Sequence, residues 1–543
     1  MRKIFLLLLI GCCITFFLLS AAAGCSCCSN KVRGDNPGEI KLVLMVVIDQ
    51  LRADLVSRLE HRFGEGGFRC LMENGVWYKN ARYRYAPTLT AVGHATIFTG
   101  AIPADHGIVG NYWIDRQTNK VISSVENMSP GQLTSTTISD QLILASGSKS
   151  RVFNVSLKDR GAILPGGFLG KAFWYDRKTG QFITGPYYYK TPPQWLDEWN
   201  NLKKVDQYRN KKWELLKEIS SYIYGRQDDR SEETTYTGLS AVFPHSLNYP
   251  DDQYYLQLCN TPFADEMNLE FLIHLVNAEK VGQWSTTDLL TVSFAATDCI
   301  GHAYGPCSLE YEDNLLRVDA TLENLFRFID NTVGLRRTLL LLTGDHGVDM
   351  IPEFRHRLGM PAGRLDPKAI EKQVNDALQK KYKTNEDFVV GFRNPSIYLN
   401  LQVVEKLKLD LPEVEGAAVE ALMNMPGIGF AVGRSDLLKG NLPDTPKLKS
   451  LELAFHPKRS GNILILQEPF WFLYHVHDQD SAMHGSPLSY DVHVPVFFCG
   501  PGIKKRAVYR LVSPRDIAPT VALKLGIEAP SGSSGKALVE IFK

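Results

Sequence analysis

Four stretches of the chain are continuous, predominantly apolar runs. Lys41 to Ile48 reads Lys-Leu-Val-Leu-Met-Val-Val-Ile and stops at Asp49. Leu289 to Ala296 stops just before Asp298. Thr338 to Thr343 runs into Gly344-Asp345-His346-Gly347, and Val492 to Cys499 into Gly-Pro-Gly. A strand wetted on one face alternates polar and apolar residues. Runs without alternation predict strands buried on both faces of a sheet covered by helices. Helical periodicity lies between them, most clearly from Tyr311 to Asn331. The alternation predicts the α/β class: a doubly wound, mostly parallel sheet flanked by helices. Two long stretches, at about 165–285 and 352–480, break the alternation and read as insertions forming cap elements over a sheet edge or a site. The second carries a strand over Ser396 to Leu401 and a helix over Leu411 to Met425.

In such sheets ligands bind beyond the carboxyl ends of the strands. One Asp there is ordinary turn punctuation. Three of the four runs ending in Asp or His predict a site. The candidate metal ligands are Asp49, Asp298, His302, Asp345, His346 and His484. Mixed carboxylates and imidazoles suit Zn²⁺, and six ligands suffice for two ions with open positions. Asp298 and His302 are four apart, so one helical turn would put both on one face. The glycines of Gly301-His302-Ala-Tyr-Gly305-Pro306 argue instead for an irregular loop. Taken singly, His94, His106, His245, His274, His356, His456, His475, His477 and His493 read as ordinary polar residues.

Met1-Arg-Lys followed by an apolar or small run from Ile4 to Gly24 reads as a secretory signal, residues 1–24, ending in Ala-Ala-Ala-Gly before Cys25. The small residues resemble a lipoprotein cleavage box, although Ala22 stands where leucine is usual. The alternative is an uncleaved anchor, since 21 residues just span a bilayer. Residues 25–39 read as a tether and 40–543 as one catalytic domain. This predicts an exported protein, periplasmic or tethered at the outer membrane of a bacterium. Of the 10 cysteines, Cys299 and Cys307 are spaced so that they can bridge. With 44% hydrophobic and 22% charged residues and a net charge of +1, the chain is globular and has no field for a nucleic acid partner.

Val47-Ile-Asp49-Gln-Leu, Pro87-Thr-Leu-Thr90-Ala-Val-Gly-His94, Gly107-Ile-Val-Gly-Asn111, Asp298-x-x-Gly-His302-x-x-Gly-Pro306, Gly344-Asp-His-Gly347, His484-Gly and Asp516-Ile-Ala-Pro-Thr520 occur in this order. The set resembles the alkaline phosphatase superfamily. Ser156-Leu-Lys158-Asp-Arg160-Gly-Ala-Ile-Leu-Pro165 is similar to the monomeric PafA-type bacterial alkaline phosphatases. The resemblance implies two zinc ions per chain, one on Asp49, Asp345 and His346 with Thr90, the other on Asp298, His302 and His484. It implies Thr90 as nucleophile, passing through a phosphothreonine, and Asn111, Lys158 and Arg160 as ligands of the phosphoryl oxygens. No magnesium site is evident. Any membrane contact would run through the N-terminal lipid anchor.

The residue chemistry agrees with that reading. A helix beginning near Leu89 would hold a phosphoryl group at its N-terminus, where amides and dipole favour an anion. A dianionic monoester exposes three non-bridging oxygens and a diester two, so the Lys158/Arg160 pair favours small phosphomonoesters with broad leaving groups. The alternative in the same superfamily is a nucleotide pyrophosphatase/phosphodiesterase, with Tyr187 to Tyr189 stacking on a base. The alternative of another class is a non-enzymatic zinc- or phosphate-binding lipoprotein. No Cys-x-Pro-x-Arg is present for an arylsulfatase, and a cofactor-independent mutase would carry serine.

Overall fold

The computed structural model describes residues 39–542 except 227, 234–237, 441 and 474–479. The signal segment, the tether apart from Glu39, and His475 and His477 lie outside the described residues. The main sheet has nine strands. They are β1 (Leu42–Ile48), β2 (Val76–Arg82), β3 (Val152–Ser156), β4 (Lys171–Asp176), β5 (Gln181–Ile183), β6 (Asp288–Phe294) and β7 (Thr338–Gly344), with two further strands from the end of the chain. A second sheet, of four strands, contains β8 (Val389–Arg393), β9 (Ser396–Leu399), β10 (Ile428–Gly433) and β11 (Ile463–Gln467). The chain then returns to the main sheet with β12 (His493–Cys499) and β13 (Arg506–Val508). The order across the main sheet is β13-β2-β12-β7-β1-β6-β3-β4-β5. Its centre, β7-β1-β6-β3-β4, is parallel.

All seven residues of β1 are 0% exposed, which is why its sequence shows no alternation. Its side chains serve two cores. Leu42, Leu44, Val46 and Ile48 pack on one face under α3 (Phe263–Glu279) and α5 (Leu309–Thr332). Val43, Met45 and Val47 pack on the other, with α1 (Thr90–Thr99) and α8 (Ile517–Leu525). Each large aliphatic side chain so buried contributes about 1.5–3 kcal/mol. The result is a helix–sheet–helix sandwich with the carboxyl ends of the parallel strands at one rim.

The fourth apolar run behaves differently from the others. β12 pairs antiparallel with β7, Leu340 opposite Cys499 and Thr343 opposite Val496. Its Gly-Pro-Gly end therefore lies at the rim opposite Asp49 and Asp345. Part of the stretch at 165–285 extends the main sheet as β4 and β5, and α3 covers a face of it. The stretch at 352–480 builds its four-stranded sheet around a core of its own with α6 (Pro367–Tyr382) and α7 (Leu411–Met423). Cys259, Cys299, Cys307 and Cys499 are free. The Cys299–Cys307 bridge is absent because a helix through Tyr304 carries Cys299 to the side where its Sγ meets Arg177.

That helix, α4 (Ala296–Tyr304), stands where the glycines suggested a loop. Gly301 is needed for its missing side chain, not for a turn: a Cβ there would lie 1.7 Å from Gln50 Oε1. Gly305, at φ +76°, ends the helix. The start of α4 is held by buried Asp265, whose Oδ1 accepts the N–H groups of Ala295 (3.0 Å) and Ala296 (3.2 Å).

Burial, aided by the charge of Asp49, pushes the Asp265 carboxyl up to about 7 despite those bonds. A raised carboxylate pKa works against stability as pH rises. The unfolded chain releases its proton near pH 4, the folded chain near 7, so stability falls across that window. Asp265→Asn keeps the Oδ1 acceptor and removes the proton. Its unfolding midpoint, followed from pH 4 to pH 7, will lose less stability than the parent's. Parallel profiles would contradict this.

Candidate active site

The candidate side chains gather at the carboxyl rim because the strand ends deliver them. Asp49 follows β1; Asp345 and His346 follow β7; Lys158 caps α2 (Asp159–Gly166) just beyond β3; Asp298 and His302 lie one turn apart on α4 after β6. His484 comes from the loop ahead of β12, and Thr90 is the first residue of α1.

These groups are mutually close and, apart from half-buried His302, buried. His346 Nε2 lies 3.3 Å from Asp49 Oδ1 and 3.5 Å from Asp345 Oδ2. Asp298 Oδ1 lies 3.2 Å from His302 Nε2 and 3.6 Å from His484 Nε2. The His346 and His484 rings stack with centroids 3.6 Å apart. Thr90 Oγ1 is 3.5 Å from His346 Nε2. Asn111 Oδ1 accepts the N–H of Ala91 (3.0 Å), which leaves its Nδ2 as the group able to donate.

Three features fit this pocket to divalent cations. Each histidine is anchored through Nδ1 to a backbone carbonyl: His302 to Ala482 (2.8 Å), His346 to Gly347 (3.0 Å) and His484 to Thr88 (2.7 Å). That contact selects the tautomer whose Nε2 lone pair faces inward, the usual support of a metal-bound imidazole. Asp49 Oδ1 and Asp345 Oδ2 are buried acceptors without a hydrogen-bond partner. The Lys158 ammonium bridges the carboxylates of Asp49 and Asp298, standing where positive charge is required. Among the described residues, two clusters have geometry able to hold an ion: Asp298, His302 and His484, and Asp49, Asp298 and His346. The second counts Asp298 where the sequence pattern groups Asp345. Asp345 adjoins it and is fixed through Gln50 N–H to Oδ1 (3.1 Å).

The electrostatics follow from this crowding. Burial and Asp298 favour protonation of Asp49, yet Lys158 and His346 outweigh them and hold it below the carboxylate range. Burial disfavours charge on His302, but Asp298 and Asp480 push it up to about 10; burial and the cationic neighbours His346 and His302 drive His484 well down. Without metal, the aspartates are balanced by the ammonium and by protons on imidazoles.

Several supporting residues carry no sequence signal strong enough to single them out. His94, one turn after Thr90, lies with Nδ1 2.9 Å from the Thr90 carbonyl and 3.3 Å from Asp345 Oδ2, and with Nε2 2.9 Å from Ser293 Oγ. It ties the helix that Thr90 opens to Asp345. The i,i+4 spacing from Thr90 is the signal that could have found it. Gln50, at φ +68°, sits in a left-handed conformation costing of order 1–3 kcal/mol. That turn lets its amide Nε2 reach Asp298 Oδ1 (3.0 Å). Gly93 lets α1 lie against Asp345, since a Cβ would meet the Asp345 carbonyl at 2.2 Å.

Arg160 follows at the start of α2, and its Nε is buried without a hydrogen-bond partner. Its Nη1 lies 3.6 Å from Asp159 Oδ1. A cavity of about 840 Å³ opens over these groups, its lining including Lys158, Arg160, Asp298, His302 and Arg177.

Comparison with known proteins agrees with this arrangement. The model of the family type I phosphodiesterase / nucleotide pyrophosphatase matches residues 43–487. Alkaline phosphatase PhoV of Synechococcus elongatus is 34% identical over 519 residues, covering 93% of this chain and 93% of its own. A Myroides odoratus protein named calcium-transporting ATPase is 35% identical over 522 residues, covering 93% of this chain and 95% of its own. Alkaline phosphatase PafA of Elizabethkingia meningoseptica is 33% identical over 520 residues, covering 92% of this chain and 94% of its own. A crystal structure of wild-type alkaline phosphatase PafA superposes with a TM-score of 0.85 at 32% identity, covering 93% of this chain and 99% of that one. The chain belongs to the type I phosphodiesterase / nucleotide pyrophosphatase family and, within it, to the alkaline phosphatases of the PafA type.

Proposed function

We propose that this chain hydrolyses phosphate monoesters through a covalent phosphothreonine at Thr90, with two zinc ions held by Asp49, Asp345 and His346 and by Asp298, His302 and His484. The observation that carries this reading is the position of Thr90 Oγ1, 3.5 Å from His346 Nε2, at the N-terminus of α1. The fold does not need a hydroxyl there, since the helix is capped by Leu89 without a side-chain hydrogen bond.

Zinc ions held by these six side chains would lower the pKa of the Thr90 hydroxyl and of a water and would offset charge on the attacking and leaving oxygens. Thr90 Oγ then attacks phosphorus, the bond to the substrate's bridging oxygen breaks, and the alcohol departs. Water next attacks the phosphothreonine phosphorus, returning inorganic phosphate and the free hydroxyl. The amides opening α1 and the Asn111 Nδ2 donate to the phosphoryl oxygens. The Arg160 guanidinium, with its orphan Nε, offsets their charge. Lys158, which bridges Asp49 and Asp298, would be released to donate to the same oxygens if cations took over those two carboxylates.

Two cations directed at non-bridging oxygens favour the dianionic monoester. Replacing Lys158 and Arg160 together with alanine will cut kcat/KM for p-nitrophenyl phosphate about 100-fold or more, and that for bis-p-nitrophenyl phosphate less than about tenfold, since each charge-assisted bond contributes about 1.5–3 kcal/mol. Equal losses would contradict the assignment. The function itself is tested by the same substrate pair with and without a chelator. Monoester turnover that dominates, stops on chelation and returns with zinc supports it. Dominant diester turnover would favour a nucleotide phosphodiesterase, and stoichiometric phosphate binding without turnover would favour a binding protein.

A further inference from the structure

The cavity lined by Lys158, Arg160, Asp298 and His302 extends beyond those residues. It continues to a wall built by Arg177, Lys178, Gln257 and Asn260. Arg177 follows directly on β4, which pairs with β3, so the strand that leads to Lys158 also sets the distance to Arg177. Among the described residues its guanidinium has one hydrogen-bond partner, Cys299 Sγ, at 3.5 Å, and no carboxylate within ion-pairing distance. The neighbouring acids are engaged elsewhere, Asp480 with His302 Nδ1 at 4.0 Å. Asp176 accepts the Lys178 N–H (3.1 Å) and the Thr179 hydroxyl (2.7 Å). Asp159 accepts the Arg160 N–H (2.7 Å). Asp298 accepts from Lys158 and Gln50 and belongs to the ligand cluster.

A half-buried guanidinium without a carboxylate partner, facing a cavity, is a site for an anion, because its planar fork matches carboxylate and phosphate oxygens. The side amides of Gln257 and Asn260, at 6% and 7% exposure, stand on the same wall as neutral hydrogen-bonding groups. Cys299 adjoins Asp298, so Arg177 lies on the side of the Asp298, His302 and His484 cluster.

We propose that Arg177 is a specificity-determining residue that receives a second anionic group, a carboxylate or a phosphate, carried by the alcohol half of a monoester whose phosphoryl group sits at Thr90. The proposal rests on the phosphomonoesterase reading above and names the substrate class it favours.

The test uses matched pairs differing only in that group: 3-phosphoglycerate against glycerol 3-phosphate for a carboxylate, and 1,3-propanediol bisphosphate against 1,3-propanediol monophosphate for a phosphate. The quantity read is the ratio of kcat/KM values within a pair, measured on one preparation of the full zinc-loaded chain. Any loss of folded protein cancels in that ratio. Arg177→Gln lowers at least one ratio about tenfold or more, and Arg177→Lys, which keeps the charge without the fork, falls between. The pair that responds identifies the anion. Ratios unchanged in Arg177→Gln, with turnover of glycerol 3-phosphate intact in the parent, overturn the subsite alone. Absence of turnover on every substrate overturns the phosphomonoesterase reading, and the subsite with it.

Discussion

Thr90→Ala lowers kcat for p-nitrophenyl phosphate on the order of 10³-fold or more. Removing a nucleophile deletes the covalent route altogether, and what remains is the charge stabilisation supplied by the rest of the pocket. The loss is not a matter of folding. The Thr90 side chain caps nothing, and its hydroxyl faces His346 Nε2. Thr90→Ser, which keeps the hydroxyl, will recover most of the lost rate. The alanine variant will retain the parent's circular dichroism and its zinc content to within one ligand's contribution. Activity in Thr90→Ala within tenfold of the parent would rule out the covalent mechanism.

Removal of metal also has a large effect, by a different route. Exhaustive chelation will take two zinc ions from each chain and reduce turnover at least about 100-fold; zinc will restore it. The metal-free chain stays folded, because its carboxylates are not left bare. Lys158 bridges Asp49 and Asp298, and His302 and His346 are pushed up to about 10 and 9 by the surrounding aspartates, against the effect of burial. Stability nevertheless falls by the binding linkage, about 4 kcal/mol where zinc stands at 1,000 times its dissociation constant. Calorimetry before and after chelation measures this. His484→Ala will hold about one zinc less per chain by elemental analysis. Full turnover in a chain shown to contain no metal would contradict the assignment.

The legible part of this protein is its sheet centre. β1, β6 and β7 are buried on both faces, so their sequences are predominantly apolar, with Thr291 and Ser293 the polar residues inside β6, and Asp49, Asp298 and Asp345 stand where those runs stop. Direction is not legible. The run ending at Cys499 looks like the others, but an apolar strand carries no mark of its orientation, and β12 enters antiparallel. α4 is obscured for a related reason. Glycine signals freedom of the backbone, whereas Gly301 and Gly93 are needed because neighbouring atoms occupy the space of a side chain. That requirement lies in residues far along the chain. Gln50, His94 and Arg177 are hidden in the same way: their partners Asp298, Ser293 and Cys299 become neighbours only after folding. Thr90, Asn111, Lys158 and Arg160 stand out only in company with the ligand set, since alone each has an ordinary structural reading.

The most direct measurement of the bimetallic pocket is anomalous diffraction at the zinc edge from crystals of the full chain. Two zinc peaks are expected in one pocket, one contacting Asp49 and His346 beside Thr90 Oγ1, the other contacting Asp298, His302 and His484. A single peak, or peaks remote from Thr90, would contradict the two-zinc mechanism.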